Sequence, residues 1–157
     1  MKDIDEARNI ILEKTYIVAG KEAAHKYTYG DIIPKAWLLD KFAIDFPKVG
    51  TKKQFETASF EFLQNMEGFK SYLLEEHQMY LTPTKGLGYE IVYPKHQSDY
   101  AMGRLKSAMS SEIKKAVTIL TNINENHLSQ EDIRKRDEHQ GKVAALAAFS
   151  KKRITFK

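Results

Sequence analysis

The stretch Met79-Tyr80-Leu81-Thr82-Pro83-Thr84-Lys85-Gly86-Leu87-Gly88-Tyr89-Glu90-Ile91-Val92-Tyr93 decides how the chain reads. Two runs of strand formers, 79–82 and 87–93, flank four turn residues, Pro83, Thr84, Lys85 and Gly86. That pattern predicts a β-hairpin. Pro94 closes its second strand, because proline cannot donate to a sheet ladder. Nearly everything outside this stretch reads as helix.

Upstream, residues 52–77 carry Phe55, Ala58, Phe62, Met66, Phe69 and Leu73 at three- and four-residue spacing, one face of a long helix. Thr51 is placed to cap it, and Gly68 is a candidate kink. Phe55, Phe60, Phe62, Phe69 and Tyr72 read as core residues. Before this helix, Ala36-Trp37-Leu38-Leu39 with Phe42 predicts an amphipathic helix of about ten residues, opened by Pro34 and ended by Phe46-Pro47-Lys48-Val49-Gly50. Tyr27 to Ile33 reads as a short extended piece. Residues 3–26 are helical, with a break expected before Gly20 and a second short helix at 21–26.

Downstream, Ser98 or Asp99 is placed to cap a helix whose apolar stripe includes Ala101, Leu105, Ala108, Ile113, Ala116, Val117, Leu120 and Ile123. Residues 122–126 form a loop. Ser129 and Asp132 approximate a capping box for a last helix carrying Ile133, Val143, Ala144, Ala147 and Phe149. The fold class is therefore mainly α with a small β-hairpin. The expected division is an N-terminal helical extension over 1–27, a core over 28–94, and a basic helical pair over 95–157.

The hairpin carries a more specific signal. Lys85-Gly86-Leu87-Gly88-Tyr89 resembles the closing hairpin of response-regulator output domains, which are winged helices. Tyr29-Gly30-Asp31-Ile32-Ile33-Pro34-Lys35-Ala36-Trp37-Leu38-Leu39 resembles that family's short strand and second helix. The likeness covers about residues 28–93, and the general cast of the chain also resembles small phage-encoded proteins. It implies a winged-helix core and a non-enzymatic DNA-binding or regulatory role. On that reading Lys52, Lys53, Gln54 and Thr57 probe the major groove, where Lys and Gln suit guanine and adenine edges. Lys85 meets the backbone beside the wing. Tyr89 lies on the helical core with its hydroxyl free to reach a polar partner or a phosphate. No receiver domain is expected upstream.

Charge complicates that role. The chain of 157 residues holds 25 Lys plus Arg against 21 Asp plus Glu, a net charge of +4. Residues 1–50 hold eight of each sign, residues 51–96 five basic and six acidic, and residues 97–157 twelve and seven. The whole surplus thus lies in the last third. Duplex binding draws its affinity from phosphate neutralisation. The C-terminal cations, Arg104, Lys106, Lys114, Lys115, Arg134, Lys135, Arg136, Lys151, Lys152 and Arg153, are the expected additional phosphate contacts. The long helix meanwhile carries Glu56, Glu61, Glu67, Glu75 and Glu76. Those acids motivate the alternative, a protein-interaction module docking on a host or partner protein. A small hydrolase or nuclease, using scattered carboxylates, is a third reading. The Ala-rich run Val143-Ala144-Ala145-Leu146-Ala147-Ala148-Phe149 fits either a closing helix or a homodimer contact.

Composition bounds the rest. Cysteine is absent, which removes disulfides, zinc fingers and thiol nucleophiles and fits a cytoplasmic setting. The five histidines form no zinc pattern. No phosphate loop, dinucleotide fingerprint or serine elbow is present. No cofactor, metal or catalytic residue is expected. The longest apolar run, 143–149, is far below the roughly 20 residues of a bilayer span, so no membrane is expected. The acidic N-terminus is unlike a secretory leader.

Overall fold

Helix ends and glycines explain most of the architecture seen in a computed structural model, which describes residues 2–151. The described elements are α1 (Lys2–Lys26), β1 (Ile32–Pro34), α2 (Lys35–Lys41), α3 (Lys52–His77), β2 (Leu81–Thr84), β3 (Gly88–Ile91), α4 (Pro94–Thr121) and α5 (Gln130–Lys151), with a 3-10 turn at Glu125–His127. The protein is mainly helical with one small antiparallel sheet, of strand order β1-β3-β2. The chain divides into two units, 1–97 and 98–157.

In the first unit α1 runs unbroken through Gly20, and α3 runs unbroken through Gly68. Neither glycine interrupts its helix, and both have the same close contact to explain them. A Cβ on Gly20 would strike the Tyr72 ring, and one on Gly68 would lie 2.5 Å from Tyr16 Cε1. Each helix therefore seats the other's tyrosine over a glycine. The glycines permit close approach of the two helices. Ala19 and Ala23 of α1 are buried in the same core, so 1–27 packs with 28–97 as one unit.

Thr51 caps α3 as expected. Its hydroxyl accepts from Gln54 N–H at 3.4 Å, and Gln54 Oε1 accepts from Thr51 N–H at 2.8 Å, a reciprocal capping box. Replacing Thr51 with Ala removes one half of it. The expected loss is about 1 kcal/mol of unfolding free energy in a urea titration. A loss below about 0.3 kcal/mol would show that the cap contributes little.

α2 is shorter than expected, seven residues. Pro34 precedes it as the N-cap, in extended geometry. The chain turns out of α2 at Ala43, whose φ is +52°. Phe46 then packs on Phe55 with ring centroids 6.1 Å apart, pinning the following loop to α3.

The hairpin forms one step later than the residue types suggest. Pro83 and Thr84 belong to β2, and Leu87 belongs to the turn, closed by Leu87 N–H donating to Thr84 O at 3.1 Å. Pro83 is tolerated because β2 is an edge strand. Gly86, with φ +77°, supplies the left-handed turn position. The extended piece expected over 27–33 narrows to β1, which pairs with β3 through Ile32–Glu90, Ile33–Tyr89 and Pro34–Gly88. The core beneath comprises Ile33, Leu38, Met66, Phe69, Leu73 and Ile91, with Phe42 set edge-on to Phe69 at 5.6 Å. Asn65 is buried beside them. Its amide nitrogen donates to Glu61 O at 2.9 Å, and its Oδ1 has no partner.

α4 begins at Pro94, within the first unit, and is already helical at Ser98 and Asp99, so neither caps it. Proline suits a first helical turn because it has no N–H to leave unpaired there. The Ser129–Asp132 box is present. Ser129 N–H donates to Asp132 Oδ2 at 3.0 Å, and Asp132 N–H donates to Ser129 Oγ at 3.2 Å. The hydrogen bonds from Ser129 hold the Asp132 carboxyl below its usual range. Arg136 pairs with Glu125 and Asp137. Of the expected stripe, Ile113, Ala116, Leu120 and Ile123 are half-buried, while Ala101, Leu105, Ala108 and Val117 are exposed. On α5, Ile133, Val143 and Ala147 are half-buried and Ala144 is exposed; the Phe149 side chain lies outside the described residues.

Candidate functional site

A helix projects side chains at i, i+3, i+4 and i+7 onto one face. With Ala58, Phe62, Met66, Phe69 and Leu73 of α3 turned into the core, the opposite face carries Lys53, Glu56, Thr57, Phe60, Leu63, Gln64 and Glu67, all exposed. Phe60 is 61% exposed and Leu63 59%. Phe60 is therefore not a core residue. It sits two positions from Phe62, about 200° around the helix.

The four residues expected to read a groove lie in the first two turns of α3, and most are engaged locally. Gln54 Oε1 is held in the capping box. The Thr57 hydroxyl donates to Lys53 O at 2.9 Å. Lys52 Nζ stands 3.6 Å from Glu56 Oε1, an exposed pair worth little. Lys53 points outward at the rim of an open concavity of about 410 Å³, lined also by Asp45, Pro47, Thr57 and Glu61. Two carboxylates in that rim oppose an anionic ligand.

Lys85 is exposed at the hairpin turn. Tyr89 is half-buried beneath Lys70, whose Nζ lies 5.1 Å from the ring centroid, and burial pushes its phenol above the ordinary value. This cation–π contact ties β3 to α3.

Arg104, Lys106, Lys114 and Lys115 are exposed on the α4 residues of the second unit. Lys115 pairs with Glu112 at 2.6 Å, and Lys135 of α5 with Glu131 at 3.2 Å. Arg134 is exposed, and Arg136 is half-buried within its ion pairs. Lys151 is the last residue of α5, and its side chain is outside the described residues, as are Lys152 and Arg153 altogether.

Towards the other end of α3 the surface is acidic. Glu67, Glu75 and Glu76 line a groove of about 390 Å³ with Tyr16, Ser71 and Tyr72. Among the described residues no group of three or more His, Asp or Glu side chains comes together in a way that holds a metal ion. No described helix is long and apolar enough to cross a membrane. No family model, curated protein or solved structure matches the chain.

Leu63 is the residue that the sequence reading passed over, and Phe60 the one it assigned to the core. The available signal was their phase, since both fall off the 55-58-62-66-69-73 stripe.

Proposed function

We propose that the first unit is a winged helix used as a non-enzymatic protein-docking module in the cytoplasm. The element order helix-strand-helix-helix-hairpin and the sheet order β1-β3-β2 support the winged-helix reading. One observation carries the docking role: Phe60 and Leu63 stand exposed together on the outer face of α3, between Glu56 and Glu67. A groove-reading helix needs cations and hydrogen-bond donors on that face. Exposed aromatic and aliphatic groups side by side suit a partner that covers them. The flanking carboxylates favour a partner segment bearing Lys or Arg around its apolar residues.

The test is capture of partners after nuclease treatment, with wild type and Phe60→Asp side by side. An exposed substitution of this kind shifts stability by only about 0.5 kcal/mol. The expected result is a discrete partner retained by the wild type and lost at least tenfold by the variant. Equal recovery by both would exclude the α3 face.

Duplex DNA remains the second reading, favoured by the lysines around the start of α3. Lys48, Lys52 and Lys53 are exposed there, and Lys85 is exposed on the wing. Binding on this reading weakens with salt and with Lys53→Glu plus Lys85→Glu, and is indifferent to Phe60→Asp.

A further inference from the structure

The outer face of α3 is complementary to itself. Phe60 stands exposed at its centre. Lys53 lies seven positions before it and Glu67 seven positions after it. Seven residues make nearly two helical turns, so all three project to one side of the helix. Each charge then stands about 10.5 Å along the axis from Phe60. Lys53 and Glu67 are both exposed. Among the described residues neither is held in an ion pair, whereas Glu56 between them is paired with Lys52.

An antiparallel second α3 aligned on Phe60 brings these positions to matching levels. Lys53 comes level with Glu67 of the mate, and Glu67 with Lys53 of the mate, so two opposite-charge pairs flank the aromatic centre. Glu56 comes level with Gln64, whose amide is a donor for a carboxylate. Leu63 comes level with Thr57, whose hydroxyl already donates to Lys53 O at 2.9 Å and needs no partner across the contact. No like charges meet at these levels. Parallel alignment fails here, because it sets each Lys and each Glu beside its own copy. Antiparallel alignment centred between Phe60 and Leu63 fails too, because it sets Glu56 against Glu67.

We propose that this face takes a second copy of the same chain, α3 against α3 across a two-fold axis at Phe60. The proposal rests on the docking reading of the face and names its occupant. A two-fold contact is isologous, so every pair in it occurs twice. It requires of one surface what α3 carries: a cation and a carboxylate at equal distances on either side of an apolar centre. A partner bearing cations alone would match Glu56 and Glu67 but oppose Lys53, whereas a second copy matches both signs. Phe60 against Phe60 supplies an aromatic centre of the kind that carries most interface energy. The strip from 53 to 67 spans about 21 Å. One helix face of that length is smaller than a standard interface, so the expected association is weak.

The experiment is sedimentation equilibrium of the full chain from micromolar to millimolar concentration, with charge variants. The wild type is expected to reach a species of twice the 18.1 kDa chain mass. Lys53→Glu alone sets Glu against Glu at both ends of the contact, and Glu67→Lys alone sets Lys against Lys. Each is expected to weaken the dimer at least tenfold. An equimolar mixture of the two variants restores opposite charges at both ends, and is expected to associate as tightly as the wild type. Both positions are exposed, so the variants fold, and circular dichroism checks that helix content is retained. A dimer indifferent to either single variant overturns the proposal, as does a mixture that associates no better than its components. A single 18.1 kDa species over the whole range overturns it as well. That last result leaves the docking reading standing, since capture of a different protein through Phe60 does not depend on self-association. Failure of the docking reading shows instead as capture of no protein, this chain included.

Discussion

Phe69→Ala is expected to cost about 4 kcal/mol of unfolding free energy. The ring is fully buried at the centre of the first unit, edge-on to Phe42 and among Ile33, Leu38, Met66, Leu73 and Ile91. Truncation removes the transfer free energy of the ring and leaves a cavity that the surrounding helices and sheet fill only in part. Total stabilities lie at about 5–15 kcal/mol, so this one change takes a large share. Trp37 is the only tryptophan and lies half-buried against the same core, edge-on to Tyr27 at 5.5 Å. Its fluorescence during urea unfolding reports this unit alone. A drop of less than about 1.5 kcal/mol would mean that the core collapses onto the cavity, against the packing described above.

Gly88→Ala is expected to cost about 3 kcal/mol. Two terms add. The residue holds φ +148°, a conformation that L side chains rarely adopt, at about 1–3 kcal/mol for other residues. A Cβ there would also strike Ile33 O and lie 3.0 Å from Pro34 Cα. Those are backbone atoms of β1, so relief requires the strands to part. Gly88 pairs with Pro34 on one side and Thr84 on the other, which means that the whole sheet feels the change. Gly86→Ala makes the control, since nothing lies within 4 Å of a Cβ there and only the φ of +77° is strained. Its expected cost is about 1 kcal/mol. Equal losses at the two positions would show that close approach to β1 contributes nothing.

These glycines show where the sequence is legible and where it is not. Turn and cap residues act within four positions of themselves, so Thr51 with Gln54, Ser129 with Asp132, and the Lys85–Gly86 turn can be read locally. The stripe through Phe62, Met66, Phe69 and Leu73 is equally local, because helical phase alone puts these residues on one side. Gly20 and Gly68 act across two helices 48 positions apart in sequence. Local propensity reads them as breaks, whereas each makes room for a tyrosine of the other helix. The site divides in the same way. Residue type singled out Lys52, Lys53, Gln54 and Thr57 for a groove, but type does not reveal that Gln54 closes a cap or that Thr57 bonds the preceding turn. Phe60 was grouped with the core by its chemistry, while its phase puts it on the outside. The same correction gives α3 an exposed face that is apolar and acid-flanked.

The charge surplus of the last third takes on a narrower meaning as well. Lys115, Lys135 and Lys142 are each paired within their own helix. Such exposed pairs are weak, and so they leave these lysines available to other anions at little cost.

The most direct test of the docking account places a photoreactive phenylalanine analogue at position 60, and separately at position 87 on the hairpin turn. Irradiation in cells, followed by nuclease digestion, should give a discrete protein adduct from position 60. That adduct should disappear when Glu56 and Glu67 are both replaced by Lys. An adduct with nucleic acid from position 60, or protein adducts absent there while position 87 links to duplex, would contradict the account and favour DNA.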